Sequence, residues 1–432
     1  MNNLQDRHRS ASDSRRVDAG CSKELSLYEN MVRGIRKLVL VTIHWLLFGR
    51  RKIVDSPDRI LVLRFSAVGD FIISIPAINT LRAAFEGADI ALLTMTSSVA
   101  KQRIAVSNYN GSPDLAPWIR FVLPSKVNRA FTLDSLRLGY LLGSVRREIK
   151  RYKADIVFIL PQQNGGTVRS LASKMILLKM LGVRSPVFGC LSGSGPLLRG
   201  KHFKEGRVEH AVMAPLNAVC EHPRVSACFG GQIGFGLDIP LEEKLWARAL
   251  IKSVRGDSNV PVIAISISSV HTHKQWGSDR FAALIRTLAE KIAVRILLVG
   301  TRSSGNEGGV IASQFPRVVT NLCGETSITQ LAAVLEMCDL TVGNDGGSMH
   351  LASAVGSRCV AIMPGIEYPG SIEPWGAIDY AIREPVACSP CYSFTNCPMG
   401  DNRCMRAISV ERVAQRCIQA LSNDCHLSGL IN

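Results

Sequence analysis

A short run of small and acidic residues, Ser66-Ala67-Val68-Gly69-Asp70, stands directly behind the apolar stretch Arg59–Phe65 (RILVLRF). Gly69 permits a tight strand-to-helix turn, and Asp70 falls where a helix begins. An aspartate there can cap a helix for about 1 kcal/mol and needs no other purpose. The same carboxylate at the rim of a cleft can take a proton from a hydroxyl. Spacing alone favours the cap. The turn lacks G-x-G-x-x-G, so it is no dinucleotide fingerprint. A second run, Gly343-Asn344-Asp345-Gly346-Gly347-Ser348-Met349-His350, lies between a strand pattern and a helix pattern. Gly346 and Gly347 let the backbone come close to a ligand. The amides opening the next helix, with its dipole, form an anion site suited to a diphosphate. His350, one turn in, is placed to donate to a phosphate or a hydroxyl. The plain alternative is a glycine-rich turn with a buried histidine.

The third run is His271-Thr272-His273-Lys274-Gln275-Trp276. Two histidines at i and i+2 suggest a metal, but no carboxylate or third ligand follows, which favours a solvated loop. Lys274 gains interest from its place at a strand's carboxyl end, where it can neutralise a phosphate. Thirteen cysteines are present. Cys190, Cys220, Cys228, Cys323, Cys338 and Cys359 stand singly and read as small buried apolar residues in a reducing compartment. Cys388-x2-Cys391-x5-Cys397-x6-Cys404 cluster instead. Their first pair has metal-site spacing and their second is wider than usual. A structural metal, a reduced loop and a disulfide all remain open for them.

The elements that position these runs read as alternating strands and helices. The pattern predicts strands at 59–65, 89–94 and 154–160, with helices at 71–85, 134–150 and 167–181. It weakens between 190 and 257, apart from a helix near 242–252. It then restarts with strands at 260–268, 294–300, 340–343 and 358–363, and helices at 279–291, 327–338 and 347–355. Strands apolar throughout and separated by helices imply parallel sheets covered on both faces. The fold class is therefore α/β, with two doubly wound Rossmann-like domains, 59–240 and 258–421, facing a central cleft. Ligands of open α/β sheets bind at such carboxyl ends. This is the geometry of two-domain nucleotide-sugar glycosyltransferases.

Apolar residues make up 47% and charged residues 20%, which excludes wholesale disorder and a polytopic membrane protein. Lysine and arginine exceed aspartate and glutamate by 16, so an anionic partner is expected. Nucleic acid is not that partner, because no basic stripe with interleaved aromatics appears. Residues 1–23 read as a disordered tail, without a cleavable signal pattern, and a cytoplasmic location follows. Within 24–58, Leu38–Phe48 (LVLVTIHWLLF) is apolar and flanked by Arg33, Arg36, Lys37, Arg50, Arg51 and Lys52. It is too short to span a bilayer. It is either a core helix or an anchor lying on the inner face of the cytoplasmic membrane, with Trp45 at headgroup depth.

RILVLRFSAVGDFIISIPAINTLRAAF resembles the opening of glycosyltransferase family 9, the ADP-heptose:lipopolysaccharide heptosyltransferases. HKQWGSDRFAALI is similar to that family's Lys-x-Trp segment, and CGETSITQLAAVLEMCDLTVGNDGGSMHLASAVGSRCVAIM to its donor-site signature. REPVACSPCYSFTNCPMGDNRCMRAISVERV resembles its cysteine-containing tail. The four blocks keep family order from about 59 to 415. The resemblance implies a GT-B fold and an inverting, metal-independent transfer that requires no cofactor. The donor would be a nucleotide sugar, ADP-heptose foremost, and the acceptor an anionic glycolipid. By motif position Asp70 is the implied base and Lys274 the phosphate-binding lysine, while Asp345, Gly346, Gly347 and His350 fall in the donor loop. The family usually has Asp-Thr-Gly-Pro where this chain has Asp345-Gly346-Gly347-Ser348, which removes one hydroxyl from that loop. Glu307 is a candidate acceptor for a ribose hydroxyl.

Overall fold

The computed structural model describes residues 27–66, 68–95, 129–133, 143, 145–161, 168–191, 209–256, 258 and 260–422. The expected N-terminal tail lies outside these residues. In the first half, helix α1 (Leu27–Phe48) precedes β1 (Arg59–Leu63), α2 (Val68–Ile72), α3 (Ile75–Ala84), β2 (Asp89–Met95) and β3 (Arg129–Leu133). Then come α4 (Arg146–Tyr152), β4 (Ile156–Ile159), α5 (Val168–Met180), β5 (Val187–Phe188), α6 (Met213–Val219) and α7 (Pro223–Cys228). The second half holds α8 (Leu241–Arg255), β6 (Val262–Ser266), α9 (Ser278–Lys291), β7 (Arg295–Val299), α10 (Gly305–Gln314) and β8 (Val319–Asn321). It continues through α11 (Ile328–Met337), β9 (Leu340–Asn344), α12 (Gly347–Ala354), β10 (Cys359–Ile362), α13 (Arg403–Arg406) and α14 (Val410–Ser422).

The strands form two five-stranded sheets, ordered β3-β2-β1-β4-β5 and β10-β9-β6-β7-β8. Every pairing is parallel. In each sheet the order reverses beside a central strand, β1 or β6, and a crevice opens at its carboxyl end. Ile60 to Leu63 and Val262 to Ser266 are buried, as parallel strands covered on both faces must be. One apolar cluster, including Val62, Phe71, Val262, Ala332 and Met349, continues from one sheet's helices to the other's. The two α/β units therefore meet over a dry contact.

Several expectations need correction. The single helix over 71–85 is two, because Pro76 opens a new one at Ile75 and cannot sit inside a helix. Most of the 134–150 segment lies outside the described residues, and its described helix begins at Arg146. Strands β3, β5 and β8 were missed; two of them are only two and three residues long. The helix at 241–255 is not part of a linker. It packs on α11 of the second unit, with Glu242 and Glu243 in its first turn and Lys252 and Arg255 in its last, as the helix dipole favours. Cys190, Cys323, Cys338 and Cys359 are buried as expected, but Cys220 is half-buried and Cys228 exposed.

Helix α1 extends well beyond the apolar run that announced it. One face packs on α5, burying Leu40 and His44. Lys179 bonds the Leu47 carbonyl, and Arg51 bonds the Val187 carbonyl and pairs with Glu221 at 2.6 Å. Ile35, Leu38, Val39, Trp45 and Leu46 stay exposed. Their spacing places them along one outward stripe. Among the described residues no helix is long and apolar enough to cross a membrane.

Candidate functional site

The site is built where the carboxyl ends of β1, β6 and β9 converge. Asn344, buried at the end of β9, donates to the Ile267 carbonyl at 2.9 Å and accepts from the Trp276 amide at 2.9 Å. One amide side chain thus ties the loop after β6 to the loop after β9. Trp276 adds a strut, its indole N–H bonding the Ile408 carbonyl at 3.0 Å. Between these fixed points Lys274, at the end of a 3-10 turn, reaches Asp345 at 2.6 Å. Burial opposes the ammonium's charge. The Asp345 carboxylate, with Glu367 and Asp70 behind it, outweighs burial and raises the Lys274 pKa.

His350 lies in the first turn of α12 and is buried. Burial lowers its pKa, Lys274 adds to that, and Asp345 and Asp70 pull the other way without winning. The ring is neutral at pH 7 and has one N–H to offer. Gly346 stands at the N-cap of α12, so the amides of Gly347 and Ser348 open the helix. A Cβ on Gly346 would meet only the Asn344 carbonyl, at 3.7 Å, so the site has room for the side chain this chain lacks. The Ser348 hydroxyl is shared with Ser266 at 2.6 Å.

Asp70 arrives from the other sheet. It is the third residue of α2 rather than its cap, which corrects the capping expectation. Arg64, fully buried, sets the backbone there: its guanidinium bonds the carbonyls of Leu160 and Pro161 at 3.2 and 2.6 Å and that of Asp70. Burial pushes the Arg64 pKa down to about 10, with Asp70 opposing. Nearby Lys174 of α5 is pushed down to about 8 by burial and then by Arg64.

The two halves touch through glycines. A Cβ on Gly69 would lie 3.1 Å from His350 Cδ2 and 3.2 Å from Gly347 Cα. One on Gly347 would lie 3.3 Å from the Gly69 nitrogen. Only bare backbone allows α2 and α12 to approach so closely, and this approach brings Asp70 within the electrostatic reach of Lys274 and His350. Glu307, by contrast, is exposed in the first turn of α10.

A second bridge joins the halves at His210. Its Nδ1 accepts from the Val212 amide, leaving Nε2–H to donate to the Glu373 carbonyl at 2.7 Å. The Glu373 carboxylate pairs with Arg383 at 2.8 Å and accepts from the Gly370 amide, while the Ala211 amide bonds the Ser371 carbonyl. Sequence reasoning missed His210, Glu367, Glu373 and Arg383. They carry no local pattern: His210 meets Glu373 across 163 residues, and Glu373 and Arg383 pair within a stretch without helix or strand periodicity. Arg64 did leave a signal, as a charge placed between apolar residues directly behind the strand.

Residues 236–400 match the model of glycosyltransferase family 9 (heptosyltransferase). The second half of the chain carries a glycosyltransferase family 9 domain. It includes Lys274, Asp345, Gly346, Gly347 and His350, whereas Asp70 lies outside the matched segment. Lipooligosaccharide heptosyltransferase 2 of Campylobacter jejuni is 28% identical over 159 residues, covering 36% of this chain and 49% of that protein. The chain thus spans about half the length of the curated relatives it matches. ADP-heptose lipopolysaccharide heptosyltransferase II of E. coli superposes over 84% of this chain and 99% of its own, with 19% identity and a TM-score of 0.56. A family 9 glycosyltransferase of Veillonella parvula does so over 87% and 100%, with 19% identity and a TM-score of 0.62. An E. coli heptosyltransferase holding ADP-2-deoxy-2-fluoro heptose covers 84% of this chain and 99% of its own, at 17% identity and a TM-score of 0.53. These superpositions extend the GT-B architecture of the family 9 domain across both sheets.

Proposed function

We propose that this chain is an inverting glycosyltransferase that moves heptose from ADP-heptose to an anionic glycolipid of the lipopolysaccharide-core type. The observation that carries the reading is the Gly69–Gly347 contact. It sets a carboxylate from one sheet against a lysine, a neutral histidine and a helix N-terminus from the other. The acceptor hydroxyl attacks the anomeric carbon as its proton passes to Asp70. The bond from that carbon to the diphosphate oxygen breaks on the opposite face, and configuration inverts. Lys274 and the Gly347 and Ser348 amides receive the charge left on the diphosphate, and His350 donates to a phosphate or sugar oxygen. Asp345 holds Lys274 charged and in place rather than touching the diphosphate, which it would repel. No step draws on a metal or a cofactor.

The donor assignment rests on the family 9 match and on the relative solved with an ADP-heptose analogue. The surplus of lysine and arginine over aspartate and glutamate supports an anionic acceptor. The exposed stripe of α1, with its basic flanks, supports attachment to the inner face of the cytoplasmic membrane, where such an acceptor is reached without diffusion through water. A second reading keeps the fold and changes the ligands to another nucleotide sugar or a protein acceptor; the missing donor-loop threonine favours it. A non-catalytic binding protein of the same fold is the third.

Thermal stabilisation by a panel of nucleotide sugars separates the donor readings, with ADP-heptose expected to stabilise most. Asp70→Asn is expected to fold and to bind donor, with kcat reduced ~10²-fold or more. Near-normal turnover in that variant would remove Asp70 as the base, whereas nucleotide-sugar binding without any transfer by the wild-type chain would favour the binding-protein reading.

A further inference from the structure

The segment after β10 does not stay with its own sheet. Its first residues are gathered by Arg383, whose guanidinium bonds the carbonyls of Pro364 and Glu367 and pairs with the Glu373 carboxylate at 2.8 Å. That carboxylate also accepts from the amides of Gly370 and Ile372 at 2.8 and 3.2 Å. Residues 364–373 are thereby tied into one loop. From there the chain crosses to the first unit as a strap. The Ala211 amide bonds the Ser371 carbonyl at 2.8 Å, and His210 donates to the Glu373 carbonyl at 2.7 Å. The Trp375 indole stands edge-on to the His210 ring, their centroids 5.0 Å apart. His210 and Ala211 lie just ahead of α6, which packs on α3 and β4 of the first unit.

The same strap grips the helix that opens the donor loop. The Ser353 hydroxyl of α12 donates to the Trp375 carbonyl at 2.6 Å, so α12 is held from behind by the residues that His210 holds from the first unit. Helix α12 carries Gly347 and His350. Its contact with the first unit at Gly69 is bare backbone, which limits how close the helices come but fixes no angle. His210 supplies a directed bond instead. Its Nδ1 accepts from the Val212 amide at 3.2 Å, so Nε2 must carry the proton that it gives to Glu373. Burial keeps this ring uncharged, and it lies within electrostatic reach of His350.

We propose that His210 is a positioning residue for the transfer step. Through the strap it holds α12, and so His350 and the Gly347 and Ser348 amides, at a fixed distance and angle from Asp70. The inference rests on the transferase reading, since only a reaction shared between two units needs the angle between them fixed. In that reading the donor's contacts lie on the second unit. Loosening the strap therefore leaves donor affinity alone and misplaces the acceptor hydroxyl against the anomeric carbon. A displacement of about 1 Å is enough to cost roughly 10²-fold in rate. His210 thus separates turnover from donor binding.

The test assays the full chain for transfer with the nucleotide sugar that stabilises it most. His210→Ala is expected to lower kcat by about ten- to a hundredfold, while the donor Kd from calorimetry stays within about twofold. His210→Gln places an amide N–H near the position of Nε2 and should recover most of that loss. His210→Asn keeps an acceptor for the Val212 amide but falls short of the Glu373 carbonyl, and should stay as slow as His210→Ala. Ser353→Ala, at the other grip of the strap, should also lower kcat with donor affinity unchanged. Hydrogen exchange reads the strap without sugar transfer: in His210→Ala, peptides over 209–213 and 369–377 should exchange faster, and peptides over α9 should not. Turnover intact in folded His210→Ala overturns the proposal, even where exchange rises. Equal rescue by Asn and Gln also overturns it, as does a donor Kd that weakens as much as kcat falls. Where His210→Ala fails to fold, Ser353→Ala takes its place, and intact turnover there counts equally against the role. Wild-type protein that transfers no sugar removes the transferase reading and this role with it, whereas wild-type transfer with turnover intact in the variants removes this role alone.

Discussion

Removing Lys274 tests the centre of the site most directly. Its ammonium is 2.6 Å from a carboxylate whose side chain is only 7% exposed, and its own side chain is 20% exposed. At an effective dielectric of about 20, attraction at that distance is at most roughly 6 kcal/mol. Desolvation of the pair offsets part of it, so Lys274→Met, which strands Asp345 as an unpaired buried charge, should cost about 3 kcal/mol. For a unit of this size that is a fall in Tm of roughly 6–12 °C. The double variant Lys274→Met/Asp345→Asn has no orphaned charge and should recover most of that loss. Donor affinity should not recover, because the cation proposed to face the diphosphate is gone. Asp345→Asn alone should weaken donor binding about tenfold as Lys274 loses its anchor. Urea unfolding measures the first set of effects and calorimetry with the nucleotide sugar the second. If the double variant were as unstable as Lys274→Met, the loss would not come from a stranded carboxylate. If Asp345→Asn tightened donor binding, Asp345 would be only a repulsive neighbour.

Three other outcomes follow from the geometry. Gly69→Ala inserts a methyl 3.1 Å from His350 Cδ2 and should wedge the halves apart by a few tenths of an ångström; kcat should fall about tenfold with nucleotide affinity unchanged, and unaltered turnover would show that the contact does not set the reaction geometry. Burial pushes His210 down to about 4, the Glu373 carbonyl opposing it, so the unfolded chain binds more protons between about pH 6.5 and 4. Stability from this group is therefore complete above pH 6.5 and falls as pH drops toward 4, by roughly 2 kcal/mol after discounting the ring's residual solvent contact; denaturant titrations of His210→Asn should show a flatter pH profile. Trp45→Glu/Leu46→Glu alters only the exposed stripe of α1 and should reduce sedimentation with phosphatidylglycerol vesicles at least tenfold while leaving Tm intact, whereas wild-type protein that ignores such vesicles would refute the anchor.

Local pattern made much of the architecture legible. Continuous apolar runs bounded by turn residues announced β1, β4, β6, β7, β9 and β10, because a strand covered on both faces has no alternation to hide. Helix α11 carries its own start signal, the Ser327–Gln330 capping box. Asp70, Lys274 and the Gly346-Gly347 turn could be singled out because each stands at the end of such a strand, where only short-range chemistry is needed to see it. Strands β5 and β8 were invisible, being too short to carry a period.

Tertiary structure decided everything that depends on distance through space. Lys274 and Asp345 form an ion pair across 71 residues, so a lysine and an aspartate read as two separate ligands become one unit. The Gly69–Gly347 approach joins loops from different sheets, and nothing local in either glycine says that its missing Cβ matters to the other. His210 and Glu373 meet across 163 residues. Helix α1 shows the division within one element. The run 38–48 is apolar around most of a helix's circumference, so periodicity alone does not say which side is buried. Only packing on α5 determined which stripe became core, with Leu40 and His44, and which stayed outside, with Trp45 and Leu46. Periodicity is a property of neighbours along the chain, whereas burial and pairing are properties of neighbours that folding brings together.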